Sequence, residues 1–184
     1  CRAPGPTSGA LARPSDGMPP RRIAWIQCVG SRGINSHDVS YCSSVCCMAA
    51  IKEAVVTRER FGNDIDTCIF YMDIRTGGKD YELYYQRAIQ EYGVRFVRCR
   101  PHSVVREDAG ALRIAYTLES GHIETERFDM VVLSSGFRCS AETGALAQVL
   151  GIELNRHQFA EAGGFSPVST SRPGVYVCGT FEGP

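Results

Sequence analysis

Two kinds of hydrophobic pattern alternate along the first hundred residues. RRIAWIQ (21–27), DTCIFYMD (66–73) and VRFVRC (94–99) are short apolar or alternating runs, and each predicts a strand. SSVCCMAAIKEAVVTRERFG (43–62) has Ser at its start, Ala, Ile and Val through its middle and Gly at its end, which predicts a helix. KDYELYYQRAIQEYG (79–93) carries tyrosines at helical spacing and stops at Gly93. The resulting order, β-α-β-α-β, is that of a parallel, doubly wound sheet.

After Pro101 the pattern changes. SVVRE (103–107), ALRIAYTLES (111–120) and HIETERF (122–128) are short β runs broken at Asp108-Ala109-Gly110 and at Gly121, and they read as an antiparallel meander. MVVLSSG (130–136) returns to a buried strand, 141–150 to a short helix, and GVYVCGT (174–180) to a last strand behind the turn Ser-Arg-Pro-Gly. Residues 1–20, rich in Pro, Gly and Ser, read as a linker or loop. The predicted class is α/β: a Rossmann-like parallel sheet with an antiparallel β-meander.

Composition narrows the function classes. The 184 residues include 43% apolar and 22% charged, which excludes a disordered chain. Twenty basic residues balance twenty acidic ones, so there is no field for nucleic acid. No run reaches the ~18 apolar residues of a membrane span, and the first twenty residues lack the apolar core of a secretory signal. A cytoplasmic location with reduced thiols follows as the default. The chain opens at Cys1 without an initiator Met and stops at Gly183-Pro184, and so reads as an internal piece of a longer protein.

Nine cysteines are more than such a domain needs. Cys68, Cys99, Cys139 and Cys178 lie singly in apolar runs, where a thiol is usually a small buried hydrophobe. Cys28, Cys42, Cys46 and Cys47 fall within twenty residues. Cys42 and Cys46 are one helical turn apart and face one way, with Cys47 about 100° round the helix. Thiolates near a helix N-terminus are favoured by the dipole and by its unpaired amides. Four thiolates match the need of a [4Fe-4S] cluster. They do not form the paired Cys-x-x-Cys knuckles of structural zinc. The residues alone leave open an iron–sulfur cluster, zinc, thiol redox chemistry at Cys46–Cys47, or inert buried thiols.

Weaker signals surround them. Cys28-Val29-Gly30-Ser31-Arg32-Gly33 is a dinucleotide fingerprint with Cys for the first Gly, but the following helix starts too late to present its N-terminus to a phosphate. Asp73 ends a strand where such folds place a ribose carboxylate, though turn chemistry explains it equally well. Lys52, one turn beyond the cysteine pair, is a candidate charge beside a reduced flavin or cluster, against the ordinary reading of a solvated lysine. The four histidines show no ligand spacing.

The blocks IQCVGSRG, YCSSVCCMAAIKEA, FYMDIRTGGKDYE, EYGVRF and TSRPGVYVCGTFEGP resemble the A-type subunit of heterodisulfide reductase, which contains flavin and iron–sulfur clusters and bifurcates electrons. The resemblance covers about residues 15–184 and implies a two-dinucleotide-binding-domain flavoprotein of thioredoxin-reductase-like architecture. Residues 21–128 would be its inserted NAD(P)-binding-like domain, and 129–184 the returning part of its FAD-binding domain. It implies that Cys28, Cys42, Cys46 and Cys47 ligate a [4Fe-4S] cluster beside FAD. Ser135 and Gly136, and Gly179 and Thr180, match backbone and ribityl contacts to that flavin, with Thr180 where many relatives carry Asp. The family's first Gly-rich FAD loop and its ferredoxin-like cysteine segments have no counterpart in these residues, and the degenerate loop speaks against NAD(P)H use. The implied function is electron transfer between FAD and the cluster. Implied partners are other redox subunits (the B and C types, a hydrogenase or formate dehydrogenase module), in an oligomer of the full-length protein. Two alternatives from the residues remain: a thioredoxin-reductase-like thiol-disulfide oxidoreductase using Cys46–Cys47, and a non-catalytic zinc-stabilised docking domain.

Overall fold

The computed structural model describes residue 5 and residues 7–33, 35–62, 64–108 and 110–184. It divides into two compact units, one of residues 1–29 and 46–135, the other of residues 30–45 and 136–184. Cys1 and part of the predicted 1–20 linker lie outside the described residues.

The first unit is a four-stranded parallel sheet in the order β3-β2-β1-β7, with β1 Arg22–Ile26, β2 Asp66–Tyr71, β3 Arg95–Arg98 and β7 Met130–Leu133. Helices α1 (Cys46–Phe61) and α2 (Tyr81–Gln90) make the crossovers, and β4 (Ser103–Arg106), β5 (Leu112–Thr117) and β6 (Ile123–Phe128) form the antiparallel meander. The period-two alternation of β1 explains the layering. Ile23 and Trp25 pack with Ile69 against Ala50, Ile51, Ala54 and Val55 of α1 and Ala88 of α2. Ala24 and Ile26 face the other way, with Cys68 and Phe70, onto Ile114, Tyr116 and Phe128 of the meander. Leu11 joins the helical-side core, so the N-terminal segment is anchored rather than a free linker.

At the first residues of the strands, Arg22 reaches Asp66 at 3.0 Å and Glu126 at 2.6 Å, and Arg95 reaches the same two carboxylates at 3.0 and 2.8 Å. Burial pushes both carboxyls up. For Asp66 the guanidiniums of Arg95 and Arg22 outweigh it, and for Glu126 the Tyr116 hydroxyl and the same two guanidiniums do, so both end below their ordinary values.

The second unit contains α3 (Thr143–Leu150), closed by Gly151 in the left-handed region, and the hairpin of β8 (Ala162–Gly163) and β9 (Ser166–Thr170). Its core joins Ala147, Ile152, Ala160 and Val177. Gly136, at φ +73°, is required there: a Cβ would lie 2.3 Å from Ser43 Oγ, which accepts a bond from the Phe137 amide at 2.8 Å.

Four expectations are corrected. Residues 174–180 do not form a strand: Tyr176 makes a single bridge to Ser169, and Gly179, at φ +68°, turns the chain into a 3-10 turn over Gly179–Phe181. The hairpin of β8 and β9 replaces a predicted loop, its two-residue first strand being too short for any periodicity. Helix α1 begins at Cys46 rather than Ser43, because Ser44 is held at φ +57°. Cys178 is exposed and Cys139 only half-buried, whereas Cys68 is fully buried, its thiol pushed up to about 12 by loss of solvent. The β7 strand completes the sheet of the first unit beside β1.

These packings can be tested by unfolding. Depressed carboxyls stabilise the fold above their unfolded values and lose that contribution as pH falls through the folded ones. The melting temperature of the wild type therefore drops steeply below about pH 4, and Glu126→Gln flattens that drop while costing about 1–3 kcal/mol at neutral pH, as read by denaturant unfolding. Gly136→Ala costs about 2–4 kcal/mol. In the double variant with Ser43→Ala the total loss is smaller than the sum of the single ones, because the second change removes the atom that the new methyl strikes.

Candidate functional site

Strands of a parallel sheet all end at the same edge, and that edge is where α/β folds of this kind build their sites. In the first unit β1 is followed by Gln27, whose amide donates to Phe70 O at 3.0 Å, and Cys28 then turns the chain at φ +59°. Val29 is caught at once by the end of β7, its amide donating to Ser134 O at 3.1 Å. Cys28 is thus buried in a turn pinned on both sides. Cys46 and Cys47 open α1, whose first turn contains no acidic residue. Cys47 is buried and its thiol donates to Asp73 O at 3.8 Å, just beyond the end of β2. Cys28, Cys46 and Cys47 therefore all belong to one end of one sheet.

Cys42 belongs to the second unit, where it is half-buried. Its sulfur accepts the Ser44 amide at 3.4 Å. Among the described residues no three His, Cys, Asp or Glu side chains converge as a metal-ligand group. The donor set nonetheless has the chemistry of a cluster site: four thiols, two of them at an acid-free helix start and one already accepting an amide. What the structure supplies is the donors.

The other candidates separate. Lys52 is exposed on α1 and borders a groove of about 720 Å³ with Lys79, Arg87, Tyr81 and Tyr84. Asp73 is half-buried and lies 3.6 Å from Arg75. Gly30 and Gly33 both have positive φ, but the helix that a phosphate loop needs begins only at Cys46. Ser135 closes the first unit and Gly136 opens the second, where the space before its α carbon is taken by Ser43. Gly179 differs: nothing lies within 4 Å of where its Cβ would stand, and Thr180 beside it is exposed. That open backbone is what close approach of a flat ligand needs. His102 contacts Thr117, His122 faces Glu124 and His157 packs on Tyr41, each in a separate place.

One residue escaped the sequence reading. Gln27 is only 4% exposed; its Nε2 donates to Ser134 Oγ at 3.0 Å, and its Oε1 has no partner among the described residues. A carboxamide at the end of an otherwise apolar strand, next to a candidate ligand cysteine, was the available signal.

Comparisons with known proteins give a consistent picture. No family model matches the chain. Over 99% of its length it is 42% identical to the second CoB–CoM heterodisulfide reductase iron-sulfur protein of the A type from Methanopyrus kandleri, covering 28% of that protein. It is 40% identical, over 98% of its length and 28% of the relative, to the A-type subunit of the H2/formate:CoB–CoM heterodisulfide, ferredoxin reductase of Methanococcus maripaludis. The corresponding iron-sulfur subunit of Methanocaldococcus jannaschii matches at 39% identity with the same coverage. Among solved structures, LpdA of Mycobacterium tuberculosis superposes on 90% of the chain and 30% of its own, with a TM-score of 0.52 and 16% identity, a likeness of fold. The chain spans just over a quarter of the length of the curated relatives, with 28% of each covered. Over nearly its whole length it aligns with proteins of one kind, and it belongs to the family of heterodisulfide reductase A-type subunits.

Proposed function

We propose that this chain is the electron-relay portion of a flavin-dependent oxidoreductase subunit, in which Cys28, Cys42, Cys46 and Cys47 hold a [4Fe-4S] cluster next to FAD. The observation that carries the reading is the placement of three of the four cysteines at the ligand-binding end of the parallel sheet, two of them on a helix start with no acidic residue in its first turn. Membership of a family whose members are named iron–sulfur subunits supports it.

Cluster and flavin, when bound, supply one- and two-electron chemistry respectively. The chain's own residues bind, orient and tune. The Ser44 amide donates to the Cys42 sulfur, and Cys46 and Cys47 stand in the first turn of α1, which contains no acidic residue. Burial of Cys28 and Cys47 keeps water from the sulfur atoms. Gly179 and Thr180 offer open backbone and a hydroxyl to the ribityl chain of the flavin, with Ser135 and Gly136 as a second backbone contact. Lys52, a cation one turn beyond the ligand pair, is placed to balance negative charge gained on reduction. In this reading residues 21–128 form the NAD(P)-binding-like domain and 129–184 the returning FAD segment.

The partners proposed are the disulfide-reducing B- and C-type subunits and a hydrogenase or formate dehydrogenase module, in a cytoplasmic complex. The Methanococcus maripaludis relative, named for hydrogen, formate and ferredoxin, supports that company. Among the described residues no helix is long and apolar enough to cross a membrane.

Anaerobic reconstitution of the chain with iron and sulfide tests the ligand set. About four irons per chain and a reducible cluster spectrum are expected. Cys28→Ser and Cys46→Ser each lose most of that iron, whereas Cys178→Ser, at an exposed thiol, keeps it. Retention of zinc without iron uptake, or a dithiol that titrates without metal, overturns the reading.

A further inference from the structure

The second unit contains a concavity of about 280 Å³ that neither the cluster nor the flavin reading uses, lined by residues that include Tyr41, Arg138, Cys139, Arg156 and His157. Among the described residues no carboxylate lines it. Arg138 bonds only neutral carbonyls, donating from Nη2 to Gly30 O at 3.3 Å and His37 O at 3.1 Å. Arg156 donates from Nε to His157 Nε2 at 3.1 Å, which requires a lone pair on that imidazole nitrogen. Neither guanidinium has a carboxylate partner among the described residues. In the first unit, by contrast, Arg22 and Arg95 are each paired with two. Two cations brought to one hollow without a counter-charge repel each other, and an anion relieves that repulsion.

The wall is rigid. The Tyr41 hydroxyl donates to Phe137 O at 3.0 Å, and its ring meets His157 and Phe159 edge-on at 4.8 and 5.6 Å. Burial raises the Cys139 thiol, so it adds no negative charge at neutral pH. Guanidinium pairs of this kind match the oxygens of a phosphate, which accept several N–H donors at once. The volume suits one or two phosphoryl groups and falls short of the roughly 300–1,000 Å³ that a drug-sized ligand fills.

We propose that the Tyr41–Arg138–Arg156–His157 pocket is a binding site for a phosphate-class oxyanion, independent of the cluster and of the flavin. Isothermal titration of the full chain with inorganic pyrophosphate, at constant ionic strength with chloride as the balancing anion, reads it. Saturable binding is expected. Arg138→Ala and Arg156→Ala should each weaken it about tenfold, or about 1.4 kcal/mol, with melting temperatures confirming that the variants fold. Arg106→Ala, on an exposed strand of the first unit, should leave it unchanged. In NMR spectra, side-chain Nε–Hε signals of Arg138 and Arg156 should shift together with occupancy. ADP is the second probe: binding tenfold tighter than pyrophosphate, lost in the same variants, assigns the anion to a nucleotide, and equal or weaker binding assigns it to a free phosphate. Absence of saturable binding, or binding that both arginine variants retain, overturns the proposal.

Discussion

Four charges at the starting edge of the parallel sheet hold its strands in register. Arg22, Asp66, Arg95 and Glu126 form an alternating ring in which each guanidinium touches both carboxylates, at 2.6–3.0 Å. Arg22 and Asp66 are also register partners in neighbouring strands, and Glu126 comes from the meander strand packed on the sheet. Because side chains alternate faces, a slip of one residue would send Trp25 to the meander side and Ile26 to the helices. The ring opposes that slip with ionic contacts that only the observed register satisfies. Arg22 also lies 4.9 Å over the Phe128 ring, joining the charge cluster to the apolar core beneath it.

Fixing one edge leaves the other for chemistry. All four strands of the first unit's parallel sheet run the same way, so charges used for structure gather at their beginnings, and the turn of Cys28 and the start of α1 gather at their ends. The contrast in environment is physical. The starting edge is acidic and basic in balance, while the far edge presents thiols, the start of α1 and a half-satisfied carboxamide, Gln27. Groups of the second kind are costly to bury without a partner and are expected where a ligand completes them.

Sequence patterns located most of these elements because the signals are local. Alternation in RIAWI and DTCIFY, helical spacing in 46–61 and the Gly stops at 62 and 93 depend only on near neighbours, and most of the observed elements begin and end within a few residues of the predicted ones. The pairing of β7 with β1 was not legible, since more than a hundred residues separate them and nothing local encodes the choice of neighbour. The ionic ring was hidden for the same reason. Residues 174–180 misled because GVYVC has strand composition, yet the left-handed Gly179 ends extension, and residue 176 forms just one bridge. At the site, the cysteine types and spacings were readable. That Cys42 falls in a different compact unit from the other three was not, because the division depends on how 30–45 groups with 136–184.

The thiols differ in what ligation asks of them. Cys42 already accepts a hydrogen bond from the Ser44 amide, and an acceptor bond of that kind strengthens when the sulfur becomes an anion. Cys47 is a donor: its contact with Asp73 O exists only while the proton remains, and deprotonation would place a buried anion against a carbonyl oxygen. In the proposed reading a cation at the sulfur would offset that repulsion, and the acid-free first turn of α1 would contribute in the same direction. Cys68 marks the opposite limit, buried with no helix terminus of its own and its thiol held up near 12, where ligation has no support. Burial alone thus does not separate these cysteines: Cys47 and Cys68 are both buried, and they differ in that Cys47 stands at a helix start and donates to a backbone carbonyl.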